Sequence, residues 1–239
     1  MKRILAAVSF ALAVLGAALP ASAGPIAEFE GQLREAYASY RGALFQTNQK
    51  NQQATEAALA TFIQKWGVIV GQWAKSPPPQ YADDVSFERV LAEVASITKA
   101  ASVEAGTGKL AEAHQTLEKI RDLLSGLRHR NGIVTFSDRM NSYHEKMEVM
   151  LDKKYDGFSP SGLGELREDA AVLAHLVHEI AENPLAGSGG NADYDAAFKA
   201  LKASVENVLA AARAGEAAAA KAALTGLKKP YSQMFLKFG

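Results

Sequence analysis

Cysteine is missing altogether from the 239 residues. Its absence excludes disulfide staples, thioether-attached haem, cysteine-bound iron–sulfur clusters and thiolate metal sites. It also excludes lipid attachment of the bacterial lipoprotein kind. Net charge is lacking as well, since 26 Lys and Arg balance 26 Asp and Glu. No basic stripe with interleaved aromatics occurs, so nucleic acid is not an expected partner. No stretch alternates polar and apolar residues with period two, which leaves no candidate strand. There is no Gly-x-Ser-x-Gly elbow and no phosphate-cradling glycine loop of the Walker pattern, so triad hydrolysis and nucleotide binding have no candidates. Stability has to come from apolar burial, and 48% hydrophobic residues is ample for one large core or two small ones.

The chain opens on Lys2 and Arg3, followed by an apolar run from Ile4 to Leu19, Pro20, and then Ala21-Ser22-Ala23. A basic start, a short apolar core and a small-x-small end predict a secretory signal peptide over residues 1–23. The apolar run is short of the roughly 20 residues a membrane span needs. No membrane span is expected once the signal is removed, and the expected compartment is the periplasm or the exterior. Without Lys2 and Arg3 the basic residues fall to 24 against 26 acidic ones.

The rest is rich in Ala, Leu, Glu, Lys and Gln, with apolar residues returning at three- and four-residue steps, which predicts helices throughout. Phe29, Leu33, Ala36, Tyr40 and Ala43 share one face of a first helix. Leu59, Phe62, Trp66, Ile69 and Trp73 share a face of a second, for which Thr55 is a candidate cap. Ser76-Pro77-Pro78-Pro79 stops that helix, because proline lacks the amide donor and disfavours helix in the residue before it. A third helix runs from about Ser86 and a fourth reaches Asn131-Gly132, a left-handed C-terminal cap. Thr135-x-x-Asp138 then reads as a fresh capping box.

Two internal registers organise these helices. A shift of 58 places Phe29 on Phe87, Leu33 on Leu91 and Leu59 on Leu117. A shift of 107 carries residues 26–132 onto 133–239: Phe29 falls on Phe136, Leu33 on Met140, Leu59 on Leu166, Trp66 on Leu173, Pro77 on Pro184, Gly108 on Gly215 and Leu117 on Leu224. The expectation is an all-α protein made by tandem duplication of an up-down-up-down four-helix unit, about eight helices in all. The first unit spans 24–132 and the second 133–239.

Four amphipathic helices in about 107 residues behind an export signal resemble the soluble b-type and c-prime cytochromes of the bacterial periplasm. The resemblance covers the length and topology of each half. It implies a four-helix bundle and, in that family, a haem. The c-prime attachment motif, Cys-x-x-Cys-His, is absent. The b-type pattern pairs a Met early in the first helix with a His in the last. The second unit offers Met140, but its closing helix through Leu224, Tyr231 and Phe238 contains no His, so haem is not the expected cofactor.

The two copies act as an internal control. His144 stands where the first has Tyr37, His175 where it has Val68, and His178 where it has Gly71. Imidazole with thioether suits copper, and imidazole with carboxylate suits zinc or iron. The candidate metal ligands are therefore His144, His175 and His178, helped by Met140, Met147 or nearby acids. The bland reading places Met140, Met147 and Met150 in a core stripe with Phe136 and Tyr143, His144 flanking that stripe, and His175 and His178 pointing off the inward face of their helix. His114 and His129 are thinner candidates, and the aromatic tail through Tyr231 and Phe235 is expected to dock in the core. The expected function is a non-enzymatic exported binding protein, its ligand a transition metal such as copper, zinc or iron. The alternative is a structural or interaction module that binds another exported protein. An enzyme or redox protein would need a polar cluster inside a bundle.

Overall fold

Helix α1 (Pro25–Asn48) starts on a proline whose missing N–H costs nothing at a helix start. It buries the stripe Phe29, Leu33, Ala36, Tyr40 and Ala43. After a two-residue turn, α2 (Gln52–Trp73) is capped by Asn51, whose side chain accepts the Ala54 N–H at 3.1 Å. Thr55, the cap expected from the sequence, lies a turn inside the helix, where it is buried and donates to the Asn51 carbonyl at 2.8 Å. Pro77 and its neighbours end α2 as expected. Then follow α3 (Phe87–Gly106) and α4 (Leu110–Arg130). These coordinates are a computed structural model that describes residues 24–239, so the signal-peptide reading of 1–23 lies outside the described residues.

Past Asn131-Gly132, Thr135 and Asp138 form the expected reciprocal capping box at the start of α5 (Phe136–Asp152). Helices α6 (Pro160–Glu182) and α7 (Ala192–Ala214) follow. Between α5 and α6 the chain folds back so tightly that a Cβ at Gly162 would sit 1.6 Å from the Tyr155 carbonyl oxygen, so only glycine fits there. The closing helix differs from the sequence reading. It is broken into α8 (Ala217–Thr225) and α9 (Lys228–Phe238). Pro230 explains the break: it cannot donate back to the Gly226 carbonyl, and its ring crowds that group. The corresponding residue of the first unit, Leu123, leaves α4 continuous.

Helix α1 packs on α2 and α4, α2 on α3, and α3 on α4, a closed ring of four. Helices α5, α6, α7 and the α8–α9 pair close a second ring in the same order. The shift of 107 maps one ring onto the other and pairs the left-handed turn glycines, Gly108 (φ 79°) and Gly215 (φ 76°), a packing consistent with the duplication. The first interior is aromatic, with Phe29 meeting Trp73, Tyr81 and Phe87 at centroid distances of 5.7, 5.4 and 5.7 Å. Its polar heads are satisfied: Trp66 Nε1 donates to the Leu91 carbonyl at 2.9 Å, and the Tyr40 hydroxyl to the Leu117 carbonyl at 3.0 Å. The second interior is softer, built on Met140, Met147 and Met150 with Leu166, Leu173 and Val205. No helix among the described residues is long and apolar enough to cross a membrane.

The rings meet along a seam. Helix α9 lies on α1, and α4 reaches α5 through long side chains. In the duplication register α1 answers α5 and α4 answers α8–α9, so these two contacts are counterparts of each other. That seam positions the polar residues described next.

Candidate binding site at the seam

Among the described residues four charged side chains are buried, Arg41, Arg121, Arg128 and Asp138, and all four lie on the seam helices α1, α4 and α5. Buried charge is costly unless it is paired and hydrogen-bonded. Arg128 and Asp138 meet that condition. The guanidinium grips the carboxylate with Nε at 2.8 Å and Nη2 at 2.6 Å, and Asp138 also accepts from the Thr135 N–H at 2.9 Å and hydroxyl at 2.7 Å. Burial alone would raise the Asp138 pKa, but Arg128 and the Thr135 donors outweigh it and hold the carboxyl below its usual range. The pair ties the end of α4 to the start of α5.

Arg41 is different. Its Nη1 donates to the Gly239 backbone oxygen, its Nε reaches the Leu236 carbonyl at 3.4 Å, and its cation lies 5.7 Å from the Tyr37 ring centroid and 6.0 Å from that of Phe235. Among the described residues no side-chain carboxylate pairs with it. Burial accordingly pulls its pKa down to about 10, against smaller opposing effects of Tyr37 and Tyr231. Arg121 also lies against Phe235, 5.6 Å from the same centroid.

Two clefts open on this seam. The first, about 380 Å³, is lined by His114, Glu118, Arg121, His144, Glu148 and Lys228, with Tyr231 and Phe235 behind them. Arg121 Nη1 lies 2.6 Å from His144 Nδ1. Arginine can only donate, so Nδ1 accepts, and the imidazole proton stands on Nε2, facing Glu148 at 3.4 Å. His144 also stacks on Tyr231 with centroids 5.0 Å apart. Glu148 is held down to about 2, first by its hydrogen bond with His144 and then, against burial, by Lys228 at 3.1 Å. His114 mirrors this pairing one helix away. Its Nδ1 meets the Thr47 hydroxyl at 2.7 Å, and its Nε2 faces Glu118 at 3.7 Å. Because the Thr47 hydroxyl donates to the Leu44 carbonyl at 2.7 Å, His114 Nδ1 carries the proton. Burial, the largest influence, lowers the His114 pKa despite Glu118.

The second cleft, about 430 Å³, has five cationic residues in its lining, Arg34, Arg41, Arg128, Arg139 and Lys237, and one acid, Glu30. Tyr37 also lines it, 3% exposed, and its buried hydroxyl has no hydrogen-bond partner. Two further buried polar atoms at the seam are unpartnered, Arg121 Nε and the Tyr231 hydroxyl. Buried polar groups are overwhelmingly satisfied in folded proteins; atoms of Gln80, Glu104, Asn141, Tyr143 and Tyr194 are also unpartnered, but only at the seam do such atoms accompany buried arginines.

The ligand set expected from the sequence is not assembled. Met140 and Met147 are fully buried core residues of the second unit. His175 is exposed on α6, and His178 is exposed beside Phe198, Lys202 and Glu206 in a groove between α6 and α7. The reason is helical phase: α6 turns Leu166, Leu173, Val177 and Ile180 inward, which carries 175 and 178 off that face. Only His144 reaches the seam, and there a guanidinium occupies its Nδ1 and opposes any cation. No group of three His, Asp or Glu among the described residues is placed to hold a metal ion.

The residues that do converge, chiefly Arg41, Arg121, Arg128 and Tyr231, were not singled out by the pattern of histidines. A signal was present. Arg41 lies one turn from Tyr37 and three residues before Leu44. Arg121 and Arg128 continue the four-residue steps of Leu117 and Leu124, so cations sit on apolar stripes. The copies also differ there, Arg41 answering Glu148, Arg128 answering Phe235 and Tyr37 answering His144. No known protein family, no curated protein and no solved structure matches the chain.

Proposed function

We infer that this is an exported, non-enzymatic binding protein whose ligand is taken up along the seam between the two helical units. One observation carries the reading: all four buried charged side chains lie on the seam helices, and three polar atoms there are left without partners. Two bundles that needed only to adhere would do so more stably through apolar residues, since well-packed hydrophobes usually match or exceed a buried ion pair. Polar groups that are buried, charged and incompletely satisfied suit a surface whose remaining partners arrive with a ligand. The export signal in the sequence supplies the location. The reading is non-enzymatic because neither cleft offers a nucleophile activated by a base. The binding role expected from the sequence is thus retained, and its site moves from the α5–α6 hairpin to the seam.

A thermal-melt screen of the mature chain against small charged molecules tests this, with hits repeated on Arg121→Met for the first cleft and on Arg34→Gln with Arg139→Gln for the second. A compound that raises the melting temperature of the native chain and not of one of these variants supports the reading. A screen in which every stabilising compound acts equally on the native chain and both variants overturns it.

A further inference from the structure

We propose that the arginine-lined cleft is a site for an organic monoanion with an apolar body, a carboxylate held by Arg34 and Arg139 with Arg41 and Tyr37 beside them. The proposal rests on the seam being the ligand-binding region and names the chemistry of its ligand. Arg34, Tyr37 and Arg41 follow one another at three- and four-residue steps, so α1 presents them along one stripe. Arg139 comes from the first turns of α5, where it donates to the Val134 and Thr135 carbonyls at 3.3 Å each. These long bonds to neutral groups leave its charge uncompensated.

Three of the five cations in the cleft have no side-chain counter-charge among the described residues. Arg128 is neutralised by Asp138. Lys237 meets Asp193 at 3.1 Å, an exposed pair of little strength. Among the described residues no side-chain carboxylate bridges Arg34, Arg41 or Arg139. Glu30, the one acid of the lining, is engaged by Gln80 and the Tyr81 hydroxyl, each at 3.3 Å. A guanidinium offers a planar fork of donors that matches a carboxylate in a bidentate contact. Arg41 already donates to an oxygen of Gly239, the last residue of the chain, so Arg34 and Arg139, which no side-chain carboxylate bridges among the described residues, gain most from one. The unpartnered Tyr37 hydroxyl lines the same cleft and would donate to the same group.

The rest of the lining selects an organic anion over an inorganic one. Leu33, Phe136, Leu185 and Phe238 supply an apolar wall. A cleft of about 430 Å³ falls within the roughly 300–1,000 Å³ typical of small-molecule sites. An apolar chain or ring against this wall, with its carboxylate toward the arginines, satisfies both halves. A hydrated inorganic phosphate would satisfy only the charged half and leave the wall wet.

Isothermal titration of the mature chain tests the proposal, with octanoate and phenylacetate as probes, inorganic phosphate as the charge-only control and 1-octanol as the apolar-only control. At least one carboxylate is expected to bind, and both controls to bind at least tenfold more weakly. Arg34→Gln with Arg139→Gln should weaken the carboxylate about tenfold or more, and Tyr37→Phe by a smaller factor, because hydrogen bonds to charged groups are the stronger ones. Arg34 is exposed and Arg139 partly so, so the double variant should keep the native far-ultraviolet spectrum and melting cooperativity. Unchanged affinity in that variant, or phosphate binding as tightly as either carboxylate, overturns the proposal. If neither carboxylate binds while a screening compound still depends on Arg121, the proposal falls and the wider seam reading stands. If no compound depends on the seam, both fall.

Discussion

The bundle interiors and the seam between them obey opposite rules. Inside the first bundle the large buried heads are partnered, Trp66 on the Leu91 carbonyl and Tyr40 on the Leu117 carbonyl. Along the seam, Arg41 is buried with no side-chain carboxylate among the described residues, held by backbone oxygens of Leu236 and Gly239, and Arg121 Nε and the Tyr37 and Tyr231 hydroxyls have no partner. The interiors are built for stability, and the seam retains polar groups that stability alone does not call for. The second interior stands between them: it is mostly apolar, yet Asn141, Tyr143 and Tyr194 carry buried polar atoms without partners, and the Tyr143 ring stacks at 5.6 Å on Tyr231 of the seam.

The contrast can be broken by substitution. Trp66→Ala empties the first interior and should cost about 4 kcal/mol in denaturant unfolding, from lost burial plus the cavity left behind. Arg128→Met strands the buried Asp138 carboxylate and should cost about 3 kcal/mol. Adding Asp138→Leu to that variant should recover most of the loss, because the penalty lies in the uncompensated charge and not in the absence of a salt bridge. If the double variant stays as unstable as Arg128→Met, the pair is a stability element and the contrast fails there.

Acid titration sharpens the same comparison. Asp138 has a depressed folded-state pKa, so its contribution is whole above its unfolded value near 3.8 and is lost as pH falls through the lower folded value. Asp138→Asn should therefore flatten the acid limb of the stability curve below about pH 4. His114 acts earlier. Its folded pKa is lowered, so its neutral form contributes fully above the unfolded value of 6.5, and stability declines as pH falls below that value and the unfolded chain takes up the proton first. His114→Asn should remove this shallower decline while leaving the steeper carboxylate limb in place. It is the smallest of these effects, read from urea midpoints at half-unit pH steps.

Much of the fold was legible because helical period, caps and breakers act locally. The stripe of α1, the proline stop after α2, the cap at Asn131-Gly132 and the Thr135–Asp138 box are all properties of a few neighbouring residues. The one misread element, the closing helix, also has a local cause in Pro230, whose effect falls four residues upstream at Gly226. The site was less legible. Histidines attract notice as ligands, but His175 and His178 are set outward by the phase of α6. Arg34 and Arg139 come from two helices, and their lack of a side-chain counter-charge among the described residues shows only once both rings are assembled. His144 belongs to both readings: it was visible as a substitution of Tyr37, and its partner Arg121 was not, because nothing in one helix states which face of another it will meet.

The most direct test of the seam as a binding region is native mass spectrometry of the chain exported to a periplasm and purified without chelator or dialysis. The prediction is a mass excess of one small organic molecule per chain that disappears in Arg121→Met or in Arg34→Gln with Arg139→Gln, with the variants still folded. A native chain at its bare mass, or an adduct retained unchanged by both variants, would contradict the account.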